Sequence, residues 1–340
     1  MKKFADYRSD TLTLPCPSMK QAMIEAHLGD DVYGEDPTVT ALQERLAAQF
    51  NKDAGLFFPS GTQSNLAAML AHCQRGEEVI TAQEYHTFTN EAAGASVLGG
   101  VALQPLPTSP YGTISPDDVR KAIKVDDPHY PISKLLSLEN TVSGCVQPQD
   151  TIEAATNIAR EAGLRTHLDG ARIFNAAVAS NTSPAELTNC FDTVSICLSK
   201  GLGTSAGSVL VGDNDTIRYA LRLRKMLGGG MRQSGMLAAA GLYALDHNID
   251  KLAMDHNNAK RLATGLAEIP QLNVDLKRVQ TNMVFATVVG EMDIGAVANE
   301  LKQKGILISA GQTLRLVTHA DISRADIDSF IRELKVILQR

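Results

Sequence analysis

Three polar segments of the sequence carry side chains that could take part in catalysis. Lys200 directly follows an apolar segment and precedes the glycine-rich turn at 201–203. A partly desolvated lysine amine at the end of a strand is suited to forming a Schiff base with a carbonyl group. Taken alone, a surface lysine at the start of a loop is the more common interpretation.

Asp169 ends a second apolar segment, within the sequence HLDGAR at 167–172. A carboxylate at the carboxyl end of a parallel strand faces the crevice where α/β sheets bind ligands. There it could hold the protonated nitrogen of a pyridine ring, which keeps a cofactor electron-poor. It could also bind a metal or a ribose, or simply cap the following helix.

A third segment, Ser60-Gly61-Thr62, lies between an apolar strand and a helical pattern. Free backbone N–H groups at the start of a helix suit a phosphate, and a plain N-cap is the common alternative. In combination, a phosphate-binding segment, Asp169 and then Lys200, 31 residues later, are typical of a pyridoxal phosphate (PLP) site.

Other catalytic motifs lack their required context. The glycines at 201–207 have the spacing GxGxxxG and precede a predicted strand, whereas a dinucleotide-binding fingerprint must open a helix. The sequence contains neither a GxSxG nor an HExxH motif. It therefore gives no indication of a serine hydrolase or of a metal site.

The elements that must position these residues are those of an α/β fold. Short apolar runs alternate with helical patterns, which predicts a large domain with a mostly parallel sheet flanked by helices. Asp36-Pro37 is a typical N-cap followed by Pro at N1, and an alanine-rich helical region covers about 233–266. The predicted buried strands are Glu78–Thr81, Leu135–Leu138, Arg165–Leu168, Val194–Leu198 and Ser208–Val211, with a helix at Thr151–Ala162.

A change of pattern after Pro270 predicts a second, smaller α+β domain. The expected strands are Met283–Val288, Ile306–Ser309 and Leu314–Thr318, with helices at Ile294–Lys304 and after a capping box at 323–326. We therefore predict a large domain with an N-terminal segment over 1–250 and a small C-terminal domain over 251–340.

Composition excludes several classes of protein. The chain has 340 residues, 44% of them hydrophobic, and a net charge of −6. No basic cluster is large enough for nucleic acid, and no apolar stretch is long enough to span a membrane. Five cysteines without CxxC spacing and a start without a signal peptide indicate reduced thiols and a cytoplasmic location.

Several segments together resemble the bacterial low-specificity L-threonine aldolases, which are PLP enzymes of fold type I. The similarity covers nearly the whole chain. The matching segments are RSDT at 8–11, GDDVYGEDPTV at 29–39, PSGTQSN at 59–65, KLLSLENT at 134–141, HLDGARIFNA at 167–176, ICLSKGLGT at 196–204, RKMLGGGMRQSG at 224–235 and LRLVTH at 314–319.

The resemblance implies roles for residues around the cofactor. Lys200 would form the covalent link to PLP, and Asp169 would pair with its pyridinium nitrogen. Gly61 and Thr62 would hold the phosphate, while His86 would stack on the ring and could act in catalysis.

The resemblance also implies a substrate site and an assembly. Arg172, near the phenolic oxygen of the cofactor, would receive the carboxylate of the amino acid together with Ser9 and Arg315. His129 would lie near the β-hydroxyl group. Three residues from a neighbouring subunit would complete the site, namely Tyr33, Lys225 and Arg232. The protein would therefore be at least a dimer, and we expect a dimer of dimers.

Two segments depart from the family pattern. Val142-Ser143 follows ENT where the family often has His-Asn, and Ser205-Ala206 follows the lysine loop where Pro-Val is common. The first difference could alter substrate preference, and the second removes a rigid proline. Neither affects Lys200, Asp169 or the phosphate-binding segment.

The resulting prediction is a PLP-dependent lyase that cleaves L-threonine, L-allo-threonine and related β-hydroxy amino acids to glycine and an aldehyde, with acetaldehyde the product from threonine. Another PLP reaction, such as β-elimination, racemisation or transamination, is the alternative, and a non-catalytic protein of the same fold is a second one. The base for the hydroxyl proton stays open between His86, His129 and a water molecule.

Overall fold

A computed structural model describes residues 4–339 of the chain. Its strands are β1 (Ala5–Asp6), β2 (Ala54–Phe58), β3 (Glu77–Ala82), β4 (Ala102–Leu106), β5 (Ile132–Glu139), β6 (Arg165–Asp169), β7 (Thr193–Cys197), β8 (Ser208–Gly212), β9 (Leu272–Val274), β10 (Met283–Val288), β11 (Ile306–Leu307) and β12 (Thr313–Val317). Its helices are α1 (Pro17–Ile24), α2 (Pro37–Gln49), α3 (Gly61–His72), α4 (His86–Thr89), α5 (Gly94–Gly99), α6 (Pro116–Ala122), α7 (Gln149–Glu161), α8 (Ile173–Ser180), α9 (Pro184–Thr188), α10 (Asn214–Met226), α11 (Gly235–His247), α12 (Leu252–Ala267), α13 (Ile294–Gln303) and α14 (Arg324–Leu338).

A seven-stranded sheet with the order β2-β8-β7-β6-β5-β3-β4 forms the centre of the molecule. Strands β7, β6, β5, β3 and β4 are parallel to one another, and β8 runs antiparallel to both of its neighbours. Helices cover the sheet, so the central strands β7 and β8 are buried on both faces. The prediction of a mostly parallel α/β fold is confirmed.

The carboxyl ends of the central strands bring the important side chains into register. Glu139 at the end of β5 lies opposite Asp169 at the end of β6, and Asp169 lies opposite Ser195 of β7. Lys200 follows three residues after β7 ends. In open α/β sheets ligands bind outside this edge.

Helix α3 covers this edge. Ser60 is its N-cap, since the Ser60 Oγ accepts a hydrogen bond of 3.2 Å from the Gln63 N–H. The Ser195 hydroxyl donates to Ser64 Oγ at 2.8 Å and fixes the helix over β7. The start of the helix therefore points at the strand ends.

A second hydrophobic core lies in the C-terminal part of the chain. It contains the antiparallel sheet β12-β10-β9 and the helices α12, α13 and α14. The predicted capping box at the start of α14 is confirmed, between Ser323 and Asp326. Strand β1 joins this core by pairing in parallel with β11, and the buried Tyr7 stacks on Phe330.

The proposed division into domains at 1–250 and 251–340 stays a prediction. Two separate cores agree with it, although α12 also packs against α8 of the larger part. Residues 1–3 and 340 of those ranges lie outside the described part of the chain.

The helical region expected over 233–266 is two helices rather than one. Asn248 ends α11, and its side-chain Nδ2 donates to the Leu202 carbonyl at 2.8 Å, while α12 begins at Leu252. The break contains neither Gly nor Pro, so it lacks the strongest sequence markers of a helix end. Over residues 4–339, no helix combines the length and apolar character needed to cross a membrane.

Candidate functional site

A cavity of about 140 Å³ lies between the start of α3 and the carboxyl ends of β6 and β7. It brings together five residues that the sequence singled out, namely Gly61, Thr62, His86, Asp169 and Lys200. The other lining residues are Asn65, Ala171, Ser195, Cys197 and Ser199. The predicted convergence of the three motifs in one site therefore matches the geometry.

The start of α3 gives the cavity an anion-binding wall. The first N–H groups of a helix have no partner inside the helix, and those of Gly61 and Thr62 belong to residues that line the cavity. A Cβ atom at Gly61 would have Ser208 Oγ, at 4.0 Å, as its nearest neighbour. Space for a bulky anion is thus present beside these groups.

Asp169 is held rigidly from two sides. Its Oδ1 accepts the Ala171 N–H at 3.0 Å, and its Oδ2 accepts a hydrogen bond of 2.8 Å from Asn65 Nδ2. The carboxyl group is buried, yet it lines the cavity. A fixed carboxylate facing a cavity can pair with a cationic group of a bound ligand.

His86 is connected to two further carboxyl groups. Its Nδ1 lies 2.9 Å from Glu91 Oε1, and its backbone N–H donates to Glu139 Oε2 at 2.7 Å. The hydrogen bond to Glu91 raises the pKa of His86, and burial opposes that effect. With Nδ1 bound to Glu91, Nε2 is left to act on a group in the cavity.

Glu139 is a second acid at this edge. Burial first, and then the charge of Asp169, raise the pKa of Glu139 to about 8. Its carboxyl group is therefore largely protonated at neutral pH and adds little negative charge beside Asp169.

Arg172 is fixed by a buried ion pair. Its Nε and Nη2 lie 2.7 and 2.6 Å from the two carboxylate oxygens of Asp10, and Asn282 donates to Asp10 at 3.1 Å. Burial would raise the pKa of Asp10, but Arg172 and these hydrogen bonds hold it well below its usual range. The guanidinium group is thereby oriented before any ligand binds.

A second guanidinium group lies near the first. Arg315 Nη1 donates to the Arg8 carbonyl at 2.9 Å, and Ser9 follows directly in the chain. Burial and the positive charge of Arg172 lower the pKa of Arg315. A carboxylate placed between two such groups would relieve their repulsion.

His129 does not lie with these residues in the single chain. It precedes β5 and therefore lies at the amino end of that strand, whereas the cavity lies at the carboxyl end. Its side chain is 85% exposed and hydrogen-bonds to Asp127 Oδ1 at 2.7 Å. The role of His129 as a base stays a prediction.

Tyr33, Lys225 and Arg232 also lie outside the cavity. The Asp31 N–H donates to the Arg232 carbonyl at 3.2 Å, which connects the segments that carry these residues. All three are exposed, Tyr33 to 78%. The structure thus gathers them on one part of the surface.

Four residues of the site received no role from the sequence. Asp10, Asn65 and Glu139 lie within segments that resembled the family, but nothing in their type indicated a partner. Glu91 lies outside these segments. Their importance depends on contacts between distant segments, which spacing alone does not show.

The two departures from the family pattern lie away from the cavity lining. Val142 is buried in the main core, where it packs against Gly112. Ser205 is exposed, and Thr204 Oγ1 donates to the Ala206 carbonyl at 3.0 Å. An effect of Val142 on substrate preference stays a prediction.

Comparison with known proteins agrees with this geometry. The family described as beta-eliminating lyase matches residues 6–289. The chain is 49% identical over 335 residues to a low specificity L-threonine aldolase of Escherichia coli O157:H7, with 98% of this chain and 99% of the relative covered. It is 41% identical to a probable low-specificity L-threonine aldolase 2 of Arabidopsis thaliana, over 95% of this chain and 94% of that protein.

Solved structures show the same fold. A threonine aldolase from Leishmania major superposes with a TM-score of 0.83 at 22% identity, covering 98% of this chain and 99% of that chain. The sequence matches reach well beyond the motifs and include both hydrophobic cores. This chain belongs to the beta-eliminating lyase family, and within it to the low-specificity L-threonine aldolases.

Proposed function

We propose that this protein is a PLP-dependent lyase that cleaves L-threonine and L-allo-threonine to glycine and acetaldehyde. The observation that carries the proposal is the single cavity in which Lys200, Asp169 and the start of α3 face one another. Related β-hydroxy amino acids are further substrates, and glycine formation from threonine is the metabolic role that we infer.

The residues of the cavity fit PLP. The N–H groups of Gly61 and Thr62 would hold its phosphate, since the space beside the missing Cβ of Gly61 is open. Asp169 would hold the pyridine nitrogen in its protonated form, and Lys200 would bind the aldehyde carbon. When bound, PLP supplies the electron sink that accepts the electrons of the broken Cα–Cβ bond.

Two arginines would bind the carboxylate of the amino acid. Arg172 is fixed by Asp10, and Arg315 is fixed by the Arg8 carbonyl. A bidentate grip on the carboxylate sets the rotation of the Cα substituents, which selects the bond that is broken. Ser9 lies beside Arg8 and would add a hydroxyl to this end of the site.

His86 is the base that the geometry favours within one chain. Its Nδ1 is bound to Glu91, so its Nε2 can accept the β-hydroxyl proton while the hydroxyl oxygen becomes the aldehyde oxygen. The Glu91 carboxylate would stabilise the imidazolium that forms. We retain His129 as a second candidate for this proton.

We further propose that the active protein is at least a dimer, assembled as a dimer of dimers in the cytoplasm. Tyr33, Lys225 and Arg232 would reach the cavity of a neighbouring subunit. Val32, Lys225 and Gly230 also border a surface depression of about 200 Å³, which offers a place for a partner to dock.

The proposed reaction is tested by adding L-threonine to the purified protein with PLP and assaying acetaldehyde and glycine. We expect both products in equal amounts from wild-type protein and none above background from K200A. Formation of a keto acid without acetaldehyde would indicate elimination or transamination instead. Absence of a visible PLP absorbance band, even with added PLP, would contradict the whole assignment of the cavity.

A further inference from the structure

Asn65 connects two carboxyl groups of the site. Its Nδ2 lies 2.8 Å from Asp169 Oδ2 and 2.8 Å from Glu91 Oε1. An amide nitrogen carries two hydrogens, so these contacts use both of them. The side chain is 2% exposed, and it therefore joins the group expected at the pyridine nitrogen to the group that holds His86.

The amide can serve both carboxyl groups in only one orientation. In a rotated amide the oxygen would face Asp169 and Glu91. Both hydrogen bonds would be lost, and the partial negative charge of the amide oxygen would face the two carboxyl groups. The observed orientation is supported by His167, whose Nε2 lies 3.2 Å from Asn65 Oδ1. Since a carbonyl oxygen only accepts, His167 must donate through Nε2.

The hydrogen on His167 is in turn determined by its neighbours. Burial lowers the pKa of His167 to about 3, so the ring is neutral and carries one N–H. Its Nδ1 lies 2.9 Å from Thr193 Oγ1 and must accept from that hydroxyl. The Thr193 oxygen lies 2.9 Å from His72 Nε2, so His72 donates to it.

We propose that the buried chain of His72, Thr193, His167 and Asn65 is a positioning device for Asp169 and His86. Each member fixes the donor or acceptor role of the next, and the last member presents two N–H groups to the active site. The inference rests on the proposed function, because it is that function which gives Asp169 and His86 their roles.

The placement of the chain in the fold supports this role. Asn65 and His72 lie seven residues apart on α3, so they share the helix face that covers the sheet. His167 and Asp169 are two residues apart on β6 and therefore share one face of that strand. The buried chain of these four side chains thus connects α3, which carries the proposed phosphate-binding groups, to β6, which carries the carboxylate of Asp169.

A purely structural role would have a different signature. Any buried polar group needs hydrogen-bond partners, and removing one lowers stability. Only a positioning role predicts altered spectroscopic properties of the bound cofactor and a loss in kcat. The experiment therefore compares visible circular dichroism, the PLP dissociation constant, and kcat and KM for L-threonine.

The central variants are H167L, which removes the donor, and H167Q, whose Nε2 can donate from a similar position. We expect H167L to lower kcat by about 10- to 100-fold. KM should stay within about threefold of wild type, since the carboxylate-binding arginines are untouched. The visible circular dichroism of bound PLP should change, and H167Q should restore both quantities in large part.

A double variant tests whether His167 acts through Asn65. N65A alone should lower kcat. Adding H167L to N65A should lower kcat by less than about a further twofold. The matched control is T166V, because Thr166 is the adjacent buried residue of β6 and its hydroxyl bonds instead to Asp192 at 2.9 Å. T166V should leave the dichroism and kcat unchanged.

Three outcomes would overturn the inference. If H167L resembles T166V in dichroism and kcat, His167 has a structural role only. The same conclusion would follow if the losses in kcat of N65A and H167L multiply in the double variant. If H167L fails to fold, T193V removes only the hydroxyl that orients His167, and an unchanged dichroism in T193V would likewise contradict the proposal. Wild-type protein that binds no PLP would overturn the proposed function itself, which distinguishes the two failures.

Discussion

Three side chains of the site owe their orientation to a second residue. Asp169 is held by Asn65, His86 by Glu91 and Arg172 by Asp10. Groups that are fixed before the substrate binds need no reorganisation during the reaction. Their partners therefore belong to the functional site even where they touch no ligand.

The contact between Glu91 and His86 predicts a pH dependence. His86 acts as a base only when it is neutral, so kcat/KM should fall as pH drops below its pKa, which lies above the ordinary value of 6.5. E91Q keeps an oxygen for Nδ1 but removes the charge, so the acid limb of the profile should move to lower pH. The profile is measured with L-threonine from pH 5 to 9.

The exposed Glu84 provides the control for this experiment. E84Q should leave the acid limb where it lies in the wild-type protein. An acid limb that does not move in E91Q would show that another group, such as His129 or a water molecule, accepts the proton.

The sequence predicted the residues that line the cavity better than the residues that hold them in position. Lys200, Asp169 and Gly61 stand at the ends of strongly apolar segments, so periodicity alone places them at one edge. Asp10 becomes important through its contact with Arg172, far away in the chain, and Glu91 through its contacts with His86 and Asn65. Such contacts depend on packing, which no local pattern records.

At the level of elements, the first turn of α3 would govern the proposed phosphate binding. Ser60 satisfies the N–H of Gln63 and leaves free the earlier N–H groups, which belong to the cavity-lining residues Gly61 and Thr62. The absence of a side chain at Gly61 keeps the approach open.

G61A should therefore separate cofactor binding from folding. Apart from the neighbouring residues and the backbone of α3 itself, a Cβ at this position meets no protein atom closer than 4.0 Å, so the unfolding free energy of the PLP-free protein should stay within about 1 kcal/mol of wild type. The PLP dissociation constant should rise by about tenfold or more, because the methyl group occupies the approach to the N–H groups. Thermal unfolding and fluorescence titration with PLP measure the two quantities.

Gly94 is a suitable control, since it also begins a helix and its Cβ would meet Leu66 at an ordinary 3.6 Å. G94A should leave PLP affinity unchanged. Equal PLP affinity of G61A and wild-type protein would place the phosphate elsewhere.

The strands that the sequence predicted most accurately are those that are buried along most of their length. Strand β10 was predicted at its observed bounds, and the buried strands β6 and β8 differ by one residue. Strand β4 was not predicted, because it lies at the edge of the sheet, contains Pro105 and is only partly buried. Edge strands lack the continuous apolar pattern on which such predictions depend.

At the level of the whole molecule, the residues that we propose for the site lie in two separate places. One chain gathers Lys200 and Asp169 in the cavity but leaves Lys225 and Arg232 on its surface. Sequence resemblance indicated this division, whereas composition and periodicity carry no information on a partner's residues.

The proposed sharing of sites between subunits predicts that two inactive variants can rescue each other. In a mixed dimer of K200A and R232A, the R232A chain keeps its lysine and would receive Arg232 from the K200A chain. Random reassembly should restore about a quarter of wild-type activity, since half of the dimers are mixed and each holds one complete site. Activity is measured after the two variants are unfolded together and refolded with PLP.

A second mixture serves as the control. K200A and D169A each lack a residue that lies in the cavity of its own chain, so no mixed dimer has a complete site. Recovery in this control, or none with K200A and R232A, would argue against the proposed exchange of residues.

The pairing of β1 with β11 has a consequence for how the protein is made. The Ala5 N–H donates to the Gly305 carbonyl and the Tyr7 N–H to the Leu307 carbonyl, each about three hundred residues later in the chain. A ribosome adds about 5 to 20 residues per second, so β1 waits on the order of tens of seconds for its partner. During that time Tyr7 lacks the Phe330 ring on which it stacks in the folded protein.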